Sequence, residues 1–444
     1  MIRRFLLTLL VGAAGLVVAV PGASGHVRLI SASPFPAEVE RVAPRELRLR
    51  FDEPPLVELS KVSVVAADGR ELVIGQPRFD ARDDSQVVVS LRSGRRGAYT
   101  VHWQMVGDDG HVVRGAYSFG IREVAGAPAP VAGAGPGIRS DIIRWLYFVA
   151  LALAVGGLLL PVTMVGSIRD HDADFERGLQ RIWKRSLALA AVASIAALHL
   201  DLYGYLDWAQ QIVGGDLDGF SQAEIRNLRT EAPIGIAWTW TTIAWLGVLG
   251  LVFAAVVRPR LRSPLACAAG VLALSTSLGL TLSGHAANRS GPISIVIVAD
   301  FLHLVAAALW LGGVAWLALA VWPSARDSRN PVPGDLLGTC LGRFSTLATY
   351  LVGTLMIAGG WLAFSRLQSP RDLLSGYGLL LSAKVLVALA ALALGLFHRK
   401  VLLPALRPAH RHSHPGTRSL RLEAVLLTVA MLAAAMLTNT APPR

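Results

Sequence analysis

The chain has 444 residues, of which 53% are hydrophobic and only 16% charged, and a mean hydropathy of +0.51; this excludes an ordinary soluble protein and marks a membrane protein. The formal net charge is +12, but the arginines cluster in short segments between apolar spans, so topology rather than nucleic-acid binding accounts for them. The two cysteines, Cys267 and Cys340, lie in or beside such spans, which excludes a disulfide framework or a CxxC metal motif and leaves metal chemistry to His, carboxylate and Met.

Residues 1–25 read as a secretory signal. Arg3 and Arg4 form the positive start, Phe5–Val20 the apolar run, and Ala23 and Gly25 the small residues before a cut. Cleavage there makes His26 the first residue, with a free α-amine beside its imidazole. An amine with a pKa of ~7.7–8.0 gives up its proton when a metal competes for it. The alternative is an uncleaved anchor.

Residues 26–122 form a soluble domain. Short alternating runs predict strands at Glu46–Phe51, Lys61–Ala66, Gln86–Leu91, Ala98–Gln104 and Gly115–Ile121, with turns at Asp68-Gly69, Ser93-Gly94 and Asp109-Gly110. The pattern implies an all-β Greek-key sandwich or barrel. Asp109-Gly110-His111 is the candidate for chemistry; read blandly, it is a hairpin turn with a solvated imidazole. With a processed His26 it supplies an α-amine, two imidazoles and a carboxylate, a tetragonal set that suits Cu(II). His102 reads as a strand residue rather than a ligand.

The stretch from His26 through FDEPPLVELSKVSVVAADGRE to VHWQMVGDDGHVVRGAYSFGI resembles the CopC family of periplasmic copper-binding proteins, along the whole soluble domain. The resemblance implies an immunoglobulin- or cupredoxin-like fold and a Cu(II) site at His26, Asp109 and His111. Met105 alone does not support the Met-rich Cu(I) site of some members. Residues 123–140, rich in Ala, Gly and Pro, read as a linker long enough to let the domain swing over the membrane.

An all-α membrane domain of about eight transmembrane helices follows, with spans near 141–165, 186–206, 233–257, 264–282, 293–322, 343–364, 377–397 and 421–438; residues 439–444 form a tail. An exported N-terminus makes the first, third, fifth and seventh loops cytoplasmic. These carry most of the loop arginines, including Arg181, Arg185, Arg260, Arg326 and Arg399, whereas the 206–232 loop is acidic. The positive-inside bias agrees with the signal. Ionisable groups in hydrocarbon cost at least ~2.5–3.5 kcal/mol each and are functional candidates. His199 and Asp201 near the outer end of the second span, His285 just past the fourth, and Asp300 and His303 within the fifth all fall in the outer half. Asp300 and His303, three residues apart, share a helix face. Lys384 enters at similar depth, where a carboxylate such as Asp300 is its expected partner. Trp310, Gly312 and Gly313 predict a close helix approach below. The bland reading of all these groups is a polar network that only packs helices.

SGHA at 283–286, ADFLHLVAAALWLGGV at 299–314, RFSTLA at 343–348, YGLLLSAKVLVALAALALGLFHRK at 377–400 and RLEAVLLTVA at 421–430 resemble the CopD family of copper-resistance and copper-uptake membrane proteins. His398-Arg399 departs from the Asn-Arg usual there. His410, His412 and His414 in the seventh loop read as a basic loop rather than a metal site.

Together these features predict a copper protein of the bacterial plasma membrane and not an enzyme. Its exported domain captures Cu(II) at His26, Asp109 and His111. Its intramembrane histidines His285 and His303, with His199, carry Cu(I) or Cu(II) inward. Its partners are the bilayer, an external copper donor and a cytosolic acceptor, without nucleic acid. The alternatives are sequestration without transport, and a haem- or copper-based redox protein.

Overall fold

The computed structural model describes residues 27–107, 110, 112–126, 138–166, 173–213, 228–229, 233–282, 295–325, 334–405, 416–438 and 440. The signal segment, most of the linker and the seventh loop with His410, His412 and His414 lie outside the described residues.

The N-terminal domain is a sandwich of two four-stranded sheets. One has the order β1 (Leu29–Ser33), β3 (Glu46–Phe51), β6 (Asp83–Leu91), β5 (Val73–Asp80); the other β2 (Val39–Glu40), β8 (Val112–Ile121), β7 (Gly97–Val106), β4 (Lys61–Ala66). In β3 and β4 every second residue is buried, as period-2 patterning requires when one face meets a core. Leu47, Leu49, Val64, Val87, Val101 and Phe119 fill the space between the sheets. Met105 is fully buried in the same core, which takes its thioether out of reach of an ion.

The β7–β8 hairpin is the longest pairing in the domain and runs to Val106↔Val112. Its turn is closed by the Gly110 N–H donating to the Gly107 carbonyl at 2.8 Å. Gly110 has φ +74°, a left-handed conformation that glycine adopts without steric cost. Gly110 of the Asp-Gly turn signal therefore sits in the turn of this hairpin.

Among the described residues, eight helices are long and apolar enough to cross a membrane. They are α1 (Ile138–Met164), α2 (Ala173–Val213), α3 (Pro233–Val257), α4 (Arg262–Leu282), α5 (Ile295–Trp316), α6 (Gly334–Arg366), α7 (Gly376–Phe397) and α8 (Gly416–Thr438). Both α5 and α7 end in a π turn, at Leu317–Val321 and His398–Leu402. Helices α1 and α5 are the most buried and form the centre, and α7 is the most open. The close approach expected near Gly312 and Gly313 is present. A Cβ on Gly312 would strike the Ala152 carbonyl of α1, one on Gly156 the Gly312 backbone, and one on Gly313 the Phe344 ring of α6.

Helix α2 differs most from its predicted span. Its 41 residues far exceed the ~20 that cross a bilayer. At the end facing the β domain it continues through Asp207, Trp208 and Gln211 because these side chains have partners. Arg139 pairs with Asp207 at 3.2 Å. Ser140 donates to Asp207 at 2.5 Å, and Gln211 donates to both Ser140 and Asp207 at 3.1 Å. The start of α1 thus props up the protruding end of α2.

Candidate functional site

The β domain is docked on that protruding end. Val106 and Val112, flanking the hairpin tip, pack with Tyr205, Trp208, Ala209 and Ile212 of α2 and with Leu228. The Trp208 indole N–H donates to the Gly110 carbonyl at 2.7 Å. The Gln104 amide donates to the Ile212 carbonyl at 2.6 Å, and Arg114 donates to both the Gln104 side chain, at 2.8 Å, and the Gln211 carbonyl. These carbonyls belong to the last turn of α2, where they lack intrahelical donors. The β domain caps the helix as it docks. Burial among this contact lowers the Arg114 pKa by desolvation.

Below the contact lies a cavity of about 950 Å³. Gly110, Asp207 and Trp208 line it beside the contact, and Asp300, His303 and Trp310 line it along α5. On α5 the liners Asp300, His303, Leu304, Ala307 and Trp310 recur at helical spacing, so one stripe of the helix faces the space. Asp300 to Trp310 spans about 15 Å at ~1.5 Å per residue. The shared face expected of Asp300 and His303 is present.

The His303 ring packs against Gly359 of α6. A Cβ there would lie 2.9 Å from Cε1 and 3.1 Å from Nδ1. Nδ1 is buried and makes no hydrogen bond of good geometry; the Leu355 backbone on α6 is the polar group that meets the ring. Lys384 of α7 and Arg366 at the end of α6 line the same cavity and act electrostatically on Asp300. The carboxylate–lysine relationship read from the sequence is thus one of shared surroundings, with Arg366 as a second cation. Asp201 of α2 also faces in and accepts from Thr241 at 2.6 Å and Thr242 at 2.7 Å.

His199 is not brought to this cavity. Two residues from Asp201 along a helix is about 200° of rotation, so an inward Asp201 turns His199 outward. Its side chain is exposed, and its Nδ1 lies 2.8 Å from the Ile195 carbonyl of its own helix. His102 is an exposed strand residue opposite Ser63 and Ala116, as expected. His26, Asp109, His111 and His285 lie outside the described residues. Among the described residues, no group of three or more His, Cys, Asp or Glu could hold a metal.

Several site residues were not foreseen. Trp208 and Asp207 fall in a stretch that reads as a loop, although Tyr205, Trp208 and Ile212 continue the helical spacing. Arg366 reads as one more loop arginine, yet it lines the cavity. Met431 of α8 lines it too, but a lone methionine in an apolar helix carries no signal of its own.

The chain matches the family model of the CopC domain over residues 29–122. It matches that of the copper resistance protein D-like N-terminal domain over 140–295 and that of copper resistance protein D over 338–437. It is 25% identical over 387 residues to the copper transport protein CutJ of Bacillus subtilis, covering 84% of this chain and 67% of that protein. It is 25% identical over 103 residues to protein YobA of Escherichia coli K12, covering 23% of this chain and 83% of that one. Among solved structures it is similar to CopC from Methylosinus trichosporium OB3b, with 24% identity over 22% of this chain and 93% of that chain and a TM-score of 0.21. The copper resistance protein PcoC of Escherichia coli matches with 26% identity over 22% of this chain and 99% of that chain, and a TM-score of 0.20.

Proposed function

This chain is a CopC–CopD fusion of the copper transport and resistance family, a multi-pass membrane protein, and we propose that it takes up copper by passing it from its β domain to His303. One observation carries this: Gly110, the middle residue of Asp109-Gly110-His111, and His303 line the same cavity.

The α-amine and imidazole of His26, the Asp109 carboxylate and the His111 imidazole form the capture site for Cu(II), a donor set that suits this ion. The β domain lies on the outer side of the membrane, in keeping with the arginine distribution. Docking on α2 holds the hairpin tip beside the cavity, so an ion released there enters without crossing solvent. His303 then offers Nδ1, a buried nitrogen that makes no hydrogen bond of good geometry. His285, beyond the end of α4, joins His303 in this proposal on sequence grounds. The chain has no G-x-x-x-x-G-K-[ST] nucleotide motif, so movement follows the membrane potential, an ion gradient or a cytosolic copper sink.

The test is the copper content of cells that differ only in this protein. Uptake predicts more copper with the intact chain than with His303→Ala. Equal content alongside intact Cu(II) binding would identify sequestration. A Soret band in the purified membrane protein would identify a haem-based redox protein instead.

A further inference from the structure

Beneath the cavity lies a second buried imidazole. His398 sits in the π turn that ends α7 and is 5% exposed. Its Nδ1 lies 2.8 Å from Oε2 of Glu423 on α8, which is itself 2% exposed. The other Glu423 oxygen, Oε1, accepts the indole N–H of Trp310 on α5 at 3.1 Å. Trp310 is the same side chain that lines the cavity along α5 with His303. One carboxylate thus ties three helices together and connects the cavity wall to His398.

The last nitrogen of this chain of contacts has no partner. His398 Nε2 is buried and makes no hydrogen bond. A neutral imidazole has one N–H and one lone pair. With Glu423 ionised and the imidazole neutral, the carboxylate accepts the Nδ1 N–H and the lone pair sits on Nε2. Buried polar atoms in native proteins are nearly all satisfied, and a lone pair is satisfied by something that accepts it. A carboxylate holding one imidazole nitrogen so that the other is free is the arrangement that orients metal-binding histidines. π turns often occur at functional sites.

Resting on copper as the cargo, we infer that His398 Nε2 is an inner metal-binding nitrogen, which takes copper below the cavity with Glu423 and Trp310 as positioning residues. The ion is soft or borderline and of low coordination number, since no group of three or more ligating His, Cys, Asp or Glu occurs among the described residues. Calcium or magnesium would need about six oxygens and does not fit.

The test is a competition titration of the purified full chain in detergent with Cu(I) under reducing conditions, against a chromophoric chelator. His398→Asn is expected to lose one equivalent of Cu(I). Glu423→Gln is expected to keep that equivalent but bind it ~10–100-fold more weakly, the scale of second-sphere losses at metal sites. His303→Ala is titrated in parallel and removes a different equivalent, so failure of the cavity reading and failure of the inner site are scored separately. If His398→Asn does not fold, the affinity shift in Glu423→Gln decides. Parent stoichiometry and affinity in both variants would overturn the inference.

Discussion

The indole N–H of Trp208 reaches the carbonyl of Gly110 across 2.7 Å. It joins the tip of a β hairpin to the end of a helix that runs on through the membrane. Trp208→Phe keeps the ring and removes the donor. It is expected to weaken docking by ~0.5–1.5 kcal/mol, read as faster hydrogen exchange at residues 205–213 and at the ends of β7 and β8. Trp208→Ala also removes the ring from its contacts with Tyr205 and Trp238 and is expected to expose these segments further. Unchanged exchange in both variants would show that the bond does not hold the domain.

Gly359 leaves the room that the His303 ring occupies. Gly359→Ala puts a methyl 2.9 Å from Cε1, tighter than real contacts allow, so the imidazole must turn. Metal affinity at His303 is expected to fall ~10–100-fold, as when other supports of a ligand are disturbed. The neighbouring Gly360→Ala meets nothing within 4 Å. It is expected to leave affinity unchanged and stabilise the helix by ~0.5–1 kcal/mol. Equal copper binding in the two variants would contradict the assigned ring position.

The crossing of α1 and α5 depends on Gly156 and Gly312. Gly312→Ala forces its methyl against the Ala152 carbonyl, a backbone atom that cannot swing away. Overpacking of this kind costs ~1–3 kcal/mol. A lower thermal midpoint of the detergent-purified protein, without loss of Cu(II) binding by the β domain, is the expected result.

The proposed capture at the mature N-terminus has its own signature. The α-amine and both imidazoles must lose protons to bind. Cu(II) affinity is therefore expected to rise with pH through the imidazole range near ~6.5 and the amine range of ~7.7–8.0. Acetylating the amine removes the upper limb of that rise and most of the affinity, as isothermal titration would record. An acetylated domain that binds as tightly as the free one would exclude the amine as a ligand.

Much of this was legible in the sequence. ELRLRF and KVSVVA became β3 and β4 with the bounds read from their alternation. β5 was not foreseen, because Gly75 and Pro77 interrupt its pattern and few of its residues are buried. The apolar spans, the common face of Asp300 and His303 and the glycine crossing followed from helical spacing. The length of α2 did not, since its last turns are held by tertiary partners rather than by hydrophobicity. His199 shows the same limit: depth can be counted along a sequence, but facing depends on which neighbour the helix meets. The pairing of His398 with Glu423 joins residues from two helices and left no local trace.

The central claim is that copper leaves the hairpin tip for His303. Cellular copper, measured at equal expression of the intact chain, His111→Ala, His303→Ala and the double variant, tests it most directly. One route through both residues predicts that each single variant lowers accumulation and that the double variant lowers it no further. Additive losses, or accumulation by His303→Ala equal to the intact chain, would contradict it.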